Sequence, residues 1–150
     1  MPKEALSKLP ASGIYRKDSL SYEDIMNVVL KISKASTGAI ATYVGLAKSP
    51  GFARRNVEEL QIRAEPNYTD KAFRQVCDEV KKKFNLQLAV IYHYEGSFRP
   101  REILVMVVVA GKARPETFSA LEELVSRFKP AGHIQKREVY ENGKSEWIEK

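Results

Sequence analysis

The spacing of apolar positions changes several times along the chain, and each change marks an element. From Ser21, "SYEDIMNVVLKIS" sets Ile25, Val28, Val29 and Ile32 at helical spacing, behind Ser21 and Asp24 in a capping-box arrangement with aspartate in the third helical position. "GAIATYVGL", Gly38 to Leu46, alternates and is rich in β-branched residues, so it reads as a strand. "AKSPGFARRN" after it holds Pro50, Gly51 and the cations Lys48, Arg54 and Arg55, the makings of an exposed loop. "VEELQIRAE" aligns Leu60, Ile62 and Ala64 on one face of a second strand. Thr69 is placed to cap the helix "DKAFRQVCDEVKKKF", whose stripe is Ala72, Phe73, Val76, Cys77, Val80 and Phe84. "LQLAVIYHYEG" and "EILVMVVVAG" are two further strands, the second apolar on both faces and therefore central in its sheet. Pro115 suits the first turn of "PETFSALEELVSRFK", with Phe118, Leu121, Val125 and Phe128 as the buried stripe and Pro130 as the stop. "HIQKREVY" and "SEWIE" then flank Asn142-Gly143, a strong hairpin signal.

Strands that come in pairs between helices predict an α+β fold with a largely antiparallel sheet, not a doubly wound parallel one. A single domain over residues 1–150 is expected, its first twenty residues a polar, irregular arm. With 43% apolar and 29% charged residues the composition is that of a soluble globular protein. The longest apolar run, Ile103 to Gly111, is far short of the about 20 residues a membrane helix needs. The N-terminus lacks the apolar core of a signal peptide, and Cys77 is the only cysteine, so no intrachain disulfide or cysteine-rich zinc site can form. A reducing, cytoplasmic setting is the natural expectation.

Charge changes the picture more than composition does. Lysine and arginine outnumber aspartate and glutamate 25 to 19, a formal charge of +6 that favours anionic partners without choosing among them. The glycines are too scattered for a phosphate loop. Neither His93 nor His133 has a carboxylate at ligand spacing, so neither a metal nor a cofactor is expected. His93 reads as a hydrogen-bonded core or edge residue, Cys77 as a small core residue, and Lys81 to Lys83 as a solvated helix end. What remains is a set of cations at element ends: Lys48 after a strand, Lys112 and Arg114 after the central strand, Lys129 closing a helix, and Lys136, Arg137 and Glu138 in the strand that follows. Alternation puts Ile134, Lys136, Glu138 and Tyr140 on one face of that strand and Gln135, Arg137 and Val139 on the other. From spacing alone two readings stay open. Surface decoration, including an exposed Lys136–Glu138 pair, is the commoner use of such residues. Convergence on one anionic ligand is the other.

In one colinear order, "GAIATYVGLAKS", "EPNYTDKAF", "GKARPETFSALEEL" and "KPAGHIQKRE" followed by Trp147 resemble the catalytic (large) subunit family of molybdopterin synthase, from about Gly38 to Trp147. The resemblance implies an α/β-hammerhead fold and a homodimer within a heterotetramer. It implies sulfur transfer to cyclic pyranopterin monophosphate from the thiocarboxylated Gly-Gly terminus of a small ubiquitin-like subunit. It further implies that Lys129 and Lys136 are the catalytic pair. The substrate would be bound by Leu46, Ala47, Lys48, Ala113, Arg114, Lys129, Lys136, Arg137 and Glu138, with Arg114 supplied across the dimer. Four positions differ from the family's usual pattern: Ala113 replaces a histidine, Lys48 an arginine, and Ile134-Gln135 an aromatic and apolar pair. A homologue that holds the ubiquitin-like tail, or another acidic protein, without turnover is the alternative. With 9% aromatic residues and no recognised motif, nothing points to specific nucleic-acid binding.

Overall fold

The all-apolar run at Ile103–Gly111 becomes the middle of the molecule. In the computed structural model, which describes residues 6–149, the elements in chain order are β1 (Gly13–Arg16), α1 (Tyr22–Ile32), β2 (Ala39–Leu46), β3 (Val57–Arg63), α2 (Pro66–Lys83), β4 (Leu88–Phe98), β5 (Ile103–Gly111), α3 (Arg114–Gly132), β6 (Gln135–Tyr140) and β7 (Ser145–Glu149). Strand β5 lies between β2 and β4 and runs antiparallel to both, with Ala41 opposite Val109 and Ile91 opposite Val107. Its residues from Leu104 to Gly111 are all buried, as a strand covered on both faces must be.

The strand order is β2-β5-β4-β3-β6-β7, and β1 adds to β4 in parallel. The expected α+β fold with a largely antiparallel sheet and a C-terminal hairpin is therefore present. Strand β4 carries two duties. Leu88 to His93 pair with β5, whereas Gly96 to Phe98 pair with β3. Gly96 has φ +130° at this change of partner, a conformation side chains rarely adopt. Helices α2 and α3 lie side by side, α2 against β1 and β4 and α3 against β2 and β5. They are joined where Thr69 Oγ1 donates to the Gly132 carbonyl (2.8 Å) and Phe73 meets Phe128 edge-on at 6.0 Å. Among the described residues no helix is long and apolar enough to cross a membrane.

Several local expectations are corrected. The supposed irregular arm contains β1, held because Ile14 N–H donates to Asp70 Oδ1 (2.7 Å) and Ile91 N–H to Ser12 Oγ (3.0 Å). Helix α2 starts four residues early, with Pro66 at its first position and the Glu65 carboxylate accepting from the Asn67 and Tyr68 N–H groups, which leaves Thr69 buried inside the helix. Helix α3 runs through Pro130 to Gly132 and stops at His133, whose φ of +50° is left-handed. Its buried face is Thr117, Ala120, Leu124 and Phe128, rotated from the expected stripe, and Phe118 is 63% exposed. The small residues win because the sheet comes close: a Cβ on Gly111 would lie 2.5 Å from Thr117 Oγ1. The hairpin forms, but around the loop Glu141-Asn142-Gly143, closed by Tyr140 N–H to the Lys144 carbonyl at 2.8 Å, with Gly143 at φ +84°.

Candidate active site

Strand β6 decides the character of the site. Its alternation turns Ile134, Lys136, Glu138 and Tyr140 inward and leaves Gln135 exposed and Arg137 and Val139 half-buried. Lys136, opposite Ile62 of β3, is 6% exposed and Glu138 is 3% exposed, so the reading of them as an exposed surface pair is excluded. Both line a cavity of about 290 Å³ bounded by the end of β2, the last turn of α3 and β6. Lys129 lines the same cavity from that last turn, where the helix dipole favours a cation. Lys48 lies across from them, its ammonium 5.5 Å from the centre of the Phe52 ring. Leu46 is half exposed at the rim and Ala47 is buried beneath it.

Glu138 is tied up by the fold. Its Oε2 accepts the Phe52 N–H (3.0 Å) and its Oε1 accepts the Tyr140 hydroxyl (3.0 Å). Burial and the neighbouring Glu138 carboxylate push the Tyr140 hydroxyl up to about 12. Around this anchor the loop after β2 is folded by Val57 N–H to Ser49 Oγ (2.9 Å) and Gly51 N–H to the Arg55 carbonyl (3.1 Å). A Cβ at position 51 would lie 1.8 Å from Glu138 Oε2, so any larger residue there displaces that carboxylate. Glu138 thus holds the loop that carries Lys48.

His93 is the site residue that sequence reasoning missed. Read there as a hydrogen-bonded core or edge residue, it is indeed buried and bonded, but it also lines the cavity. Its Nδ1 is 2.8 Å from the Tyr94 carbonyl, which can only accept, so Nδ1 carries the hydrogen and Nε2 a lone pair. Burial holds its pKa at about 3, against the raising effect of that hydrogen bond and with a further push from the charges of Lys136 and Lys129. The ring is neutral. The only signal for its place was that it shares an inward-facing strand with the apolar core.

The chain by itself brings Leu46, Ala47, Lys48, Lys129, Lys136 and Glu138 together and leaves Ala113, Arg114 and Arg137 elsewhere. Ala113 and Arg114 are exposed at the opposite end of α3. Lys129 lies fifteen residue steps along the helix from Arg114, a rise of about 22 Å at roughly 1.5 Å each. Ala113 offers no capping side chain, and its N–H donates instead to Glu116 Oε1 (2.7 Å). Arg137, on the outer face of β6, donates from Nε (3.0 Å) and Nη2 (2.7 Å) to Ser145 Oγ, its guanidinium 5.9 Å from the centre of the Trp147 ring. Cys77 is 4% exposed with its thiol pushed up to about 11 by burial, a core residue as expected. Among the described residues no group of three or more His, Cys, Asp and Glu could hold a metal ion.

A mixed sheet with a cavity lined by three lysines and a neutral imidazole defines a class of protein with a cationic pocket. Comparison with known proteins narrows the class. The family profile described as MoaE protein matches residues 15–131, and the chain belongs to that family. A Caulobacter vibrioides relative named molybdopterin synthase catalytic subunit is 34% identical over 116 residues, covering 77% of this chain and 75% of the relative. A relative of the same name from Cereibacter sphaeroides is 31% identical over 114 residues, covering 76% and 75%. Among solved structures, molybdopterin synthase from Staphylococcus aureus superposes with a TM-score of 0.82 at 21% identity, over 95% of this chain and 99% of that one. A complex of subunits 1 and 2 of molybdopterin-converting factor from Helicobacter pylori gives 0.75 at 17% identity, over 93% and 90%.

Proposed function

We propose that this chain is the catalytic subunit of a molybdopterin synthase, a sulfur-transferring enzyme, and that its lysine-lined cavity is where transfer occurs. The donor is the thiocarboxylated Gly-Gly terminus of a small ubiquitin-like subunit, and the acceptor is cyclic pyranopterin monophosphate. One observation carries the reading: Lys136, buried on an inward strand face, opens onto the same cavity as Lys129. Neither a solvated helix end nor a decorated strand accounts for that convergence.

The chemistry suits the residues. Net transfer exchanges a carbon–oxygen bond of the pterin precursor for a carbon–sulfur bond, the displaced oxygen leaving as water or staying on the opened phosphate, and breaks the acyl–sulfur bond of the donor. Water supplies the oxygen with which the donor tail leaves as a carboxylate. Precursor phosphate and donor tail are both anionic, so cations on three sides of the cavity can hold the two together. A lysine beside other cations is the usual means of making an amine nucleophile or base. We assign Lys129, at the open end, to proton transfer or covalent capture, and Lys136 to orienting and neutralising the anionic groups. Leu46, Ala47 and Lys48 form the facing wall. Glu138 acts by holding the loop of Lys48, and Arg137 by bracing the hairpin. Arg114 can reach a cavity only on a second copy of the chain, which fits a homodimer within a heterotetramer. The sole cysteine, buried and reduced, suits the cytoplasm.

The test is reconstitution with thiocarboxylated small subunit and precursor, scored for molybdopterin. Lys129→Ala and Lys136→Ala are each expected to lower turnover on the order of 10²-fold or more at wild-type stability. Wild-type turnover by both variants would sink the proposal. Ala113 and Gln135, which depart from the family's usual histidine and apolar residue, favour a second reading, a homologue that binds the tail without turnover. Capture of a Gly-Gly-ending partner with no product would select it.

A further inference from the structure

The cavity has an inner group that the lysine chemistry does not use. His93 sits on β4 between Ile14 of β1 and Val105 of β5, with Phe128 of α3 and Phe73 of α2 at ring-centre distances of 5.9 and 6.5 Å. It is 1% exposed in a region otherwise filled by aliphatic and aromatic side chains. Its Nδ1 hydrogen is committed to the Tyr94 carbonyl. That bond satisfies one ring nitrogen of a residue that also lines the cavity, and leaves Nε2 as an acceptor. The charges acting on the ring are those of Lys136, from β6, and Lys129, from α3. Glu138, the carboxylate of the same cavity, already accepts from Phe52 and Tyr140.

We propose that His93 is a positioning residue for sulfur transfer, offering the bare Nε2 as an uncharged acceptor that fixes where the Lys136 ammonium rests. The choice of group follows from charge. A carboxylate at this depth would neutralise the ammonium that the anionic ligand needs, and a second buried cation would drive it away. A neutral acceptor does neither, so the ammonium keeps both its place and its charge for the ligand. An apolar ring in its place leaves the ammonium with one acceptor fewer in a largely dry wall. This inference rests on the function proposed above, so its test has readouts that do not need turnover.

The first is the ring itself. In ¹⁵N-labelled full-length protein, long-range ¹H–¹⁵N spectra should show His93 with Nδ1 protonated and Nε2 bare from pH 8 down to pH 5. An Nε2-protonated ring overturns the proposal. The second is Lys136, whose modification by a small acylating reagent is followed against pH by peptide mass spectrometry. His93→Phe keeps ring volume and loses the acceptor, whereas His93→Gln keeps an acceptor. His93→Phe should displace the Lys136 pH profile and lower kcat on the order of 10- to 100-fold with KM little changed. His93→Gln should restore most of both. Wild-type kcat and an unmoved lysine profile in His93→Phe overturn it. So does a loss in both variants that merely tracks thermal stability. If wild-type protein makes no product, the functional reading fails, while the tautomer and the lysine profile still decide the positioning role.

Discussion

Both oxygens of Glu138 are occupied, by Phe52 N–H and by the Tyr140 hydroxyl, so the loop bearing Lys48 hangs from one carboxylate. Glu138→Gln keeps the volume but can accept through only one oxygen. It should loosen residues 48–52 and raise KM more than it lowers kcat, which steady-state kinetics would check. Gly51→Ala should give the same phenotype, because its methyl group would occupy the position of that carboxylate. His93 gives a second residue-scale prediction. Folded, it protonates at about 3; unfolded, near the ordinary 6.5. Between those values the unfolded chain binds a proton that the folded chain refuses, so stability falls as pH drops through that window. The slope is at most about 1.4 kcal/mol per pH unit. Glu102 and Glu123, whose carboxyls are held low chiefly by hydrogen bonds from Lys17 and Lys83, also lose stability as they protonate in acid. The diagnostic is therefore the difference between wild type and His93→Phe in urea melts from pH 7 to 4.5, which should narrow as pH falls. Alternation along "HIQKREVY" correctly put Lys136 and Glu138 on one face, and the family resemblance supplied the pairing with Lys129. The role of Glu138 was invisible in the sequence because its partner, Phe52 N–H, lies 86 residues away.

At the scale of elements, the contact between α2 and α3 turns on Thr69, whose hydroxyl closes the end of α3 at Gly132. Thr69→Val keeps the shape and leaves that buried carbonyl without its donor, at a cost of about 1–3 kcal/mol. Glu65→Ala removes the cap of α2 and should cost about 1 kcal/mol. Chemical denaturation measures both, and a Thr69→Val protein as stable as wild type would show that the helix end finds another donor. The same elements show what a pattern of apolar residues conveys. Among the described residues it located every helix and six of the seven strands, because burial on one face sets the period. It missed β1, whose four residues are too few to show a period and whose order comes from β4 and Asp70. It turned α3 by one position, since Phe118 carries more apolar signal than Thr117. The close approach of Gly111 nevertheless reserves that face for a small residue.

For the whole molecule, the distance from Arg114 to Lys129 makes a direct prediction. If each cavity borrows Arg114 from a second copy, mixtures of inactive Arg114→Ala and Lys136→Ala chains should recover activity. Random pairing makes half the dimers mixed, each with one intact site, giving about a quarter of the wild-type rate. No recovery on mixing would mean that Arg114 serves only its own chain. The excess of positive charge should also make capture of an acidic tail weaken as salt rises. A last consequence comes from β4, which changes partner at Gly96. Lys48 belongs to the wing of the sheet built on β2 and β5, and Lys136 to the wing built on β3 and β6. A ligand gripped by both lysines is a clasp across the seam between the wings. Amides from Tyr94 to Phe98, none of which lines the cavity, should then exchange with solvent more slowly when it is closed.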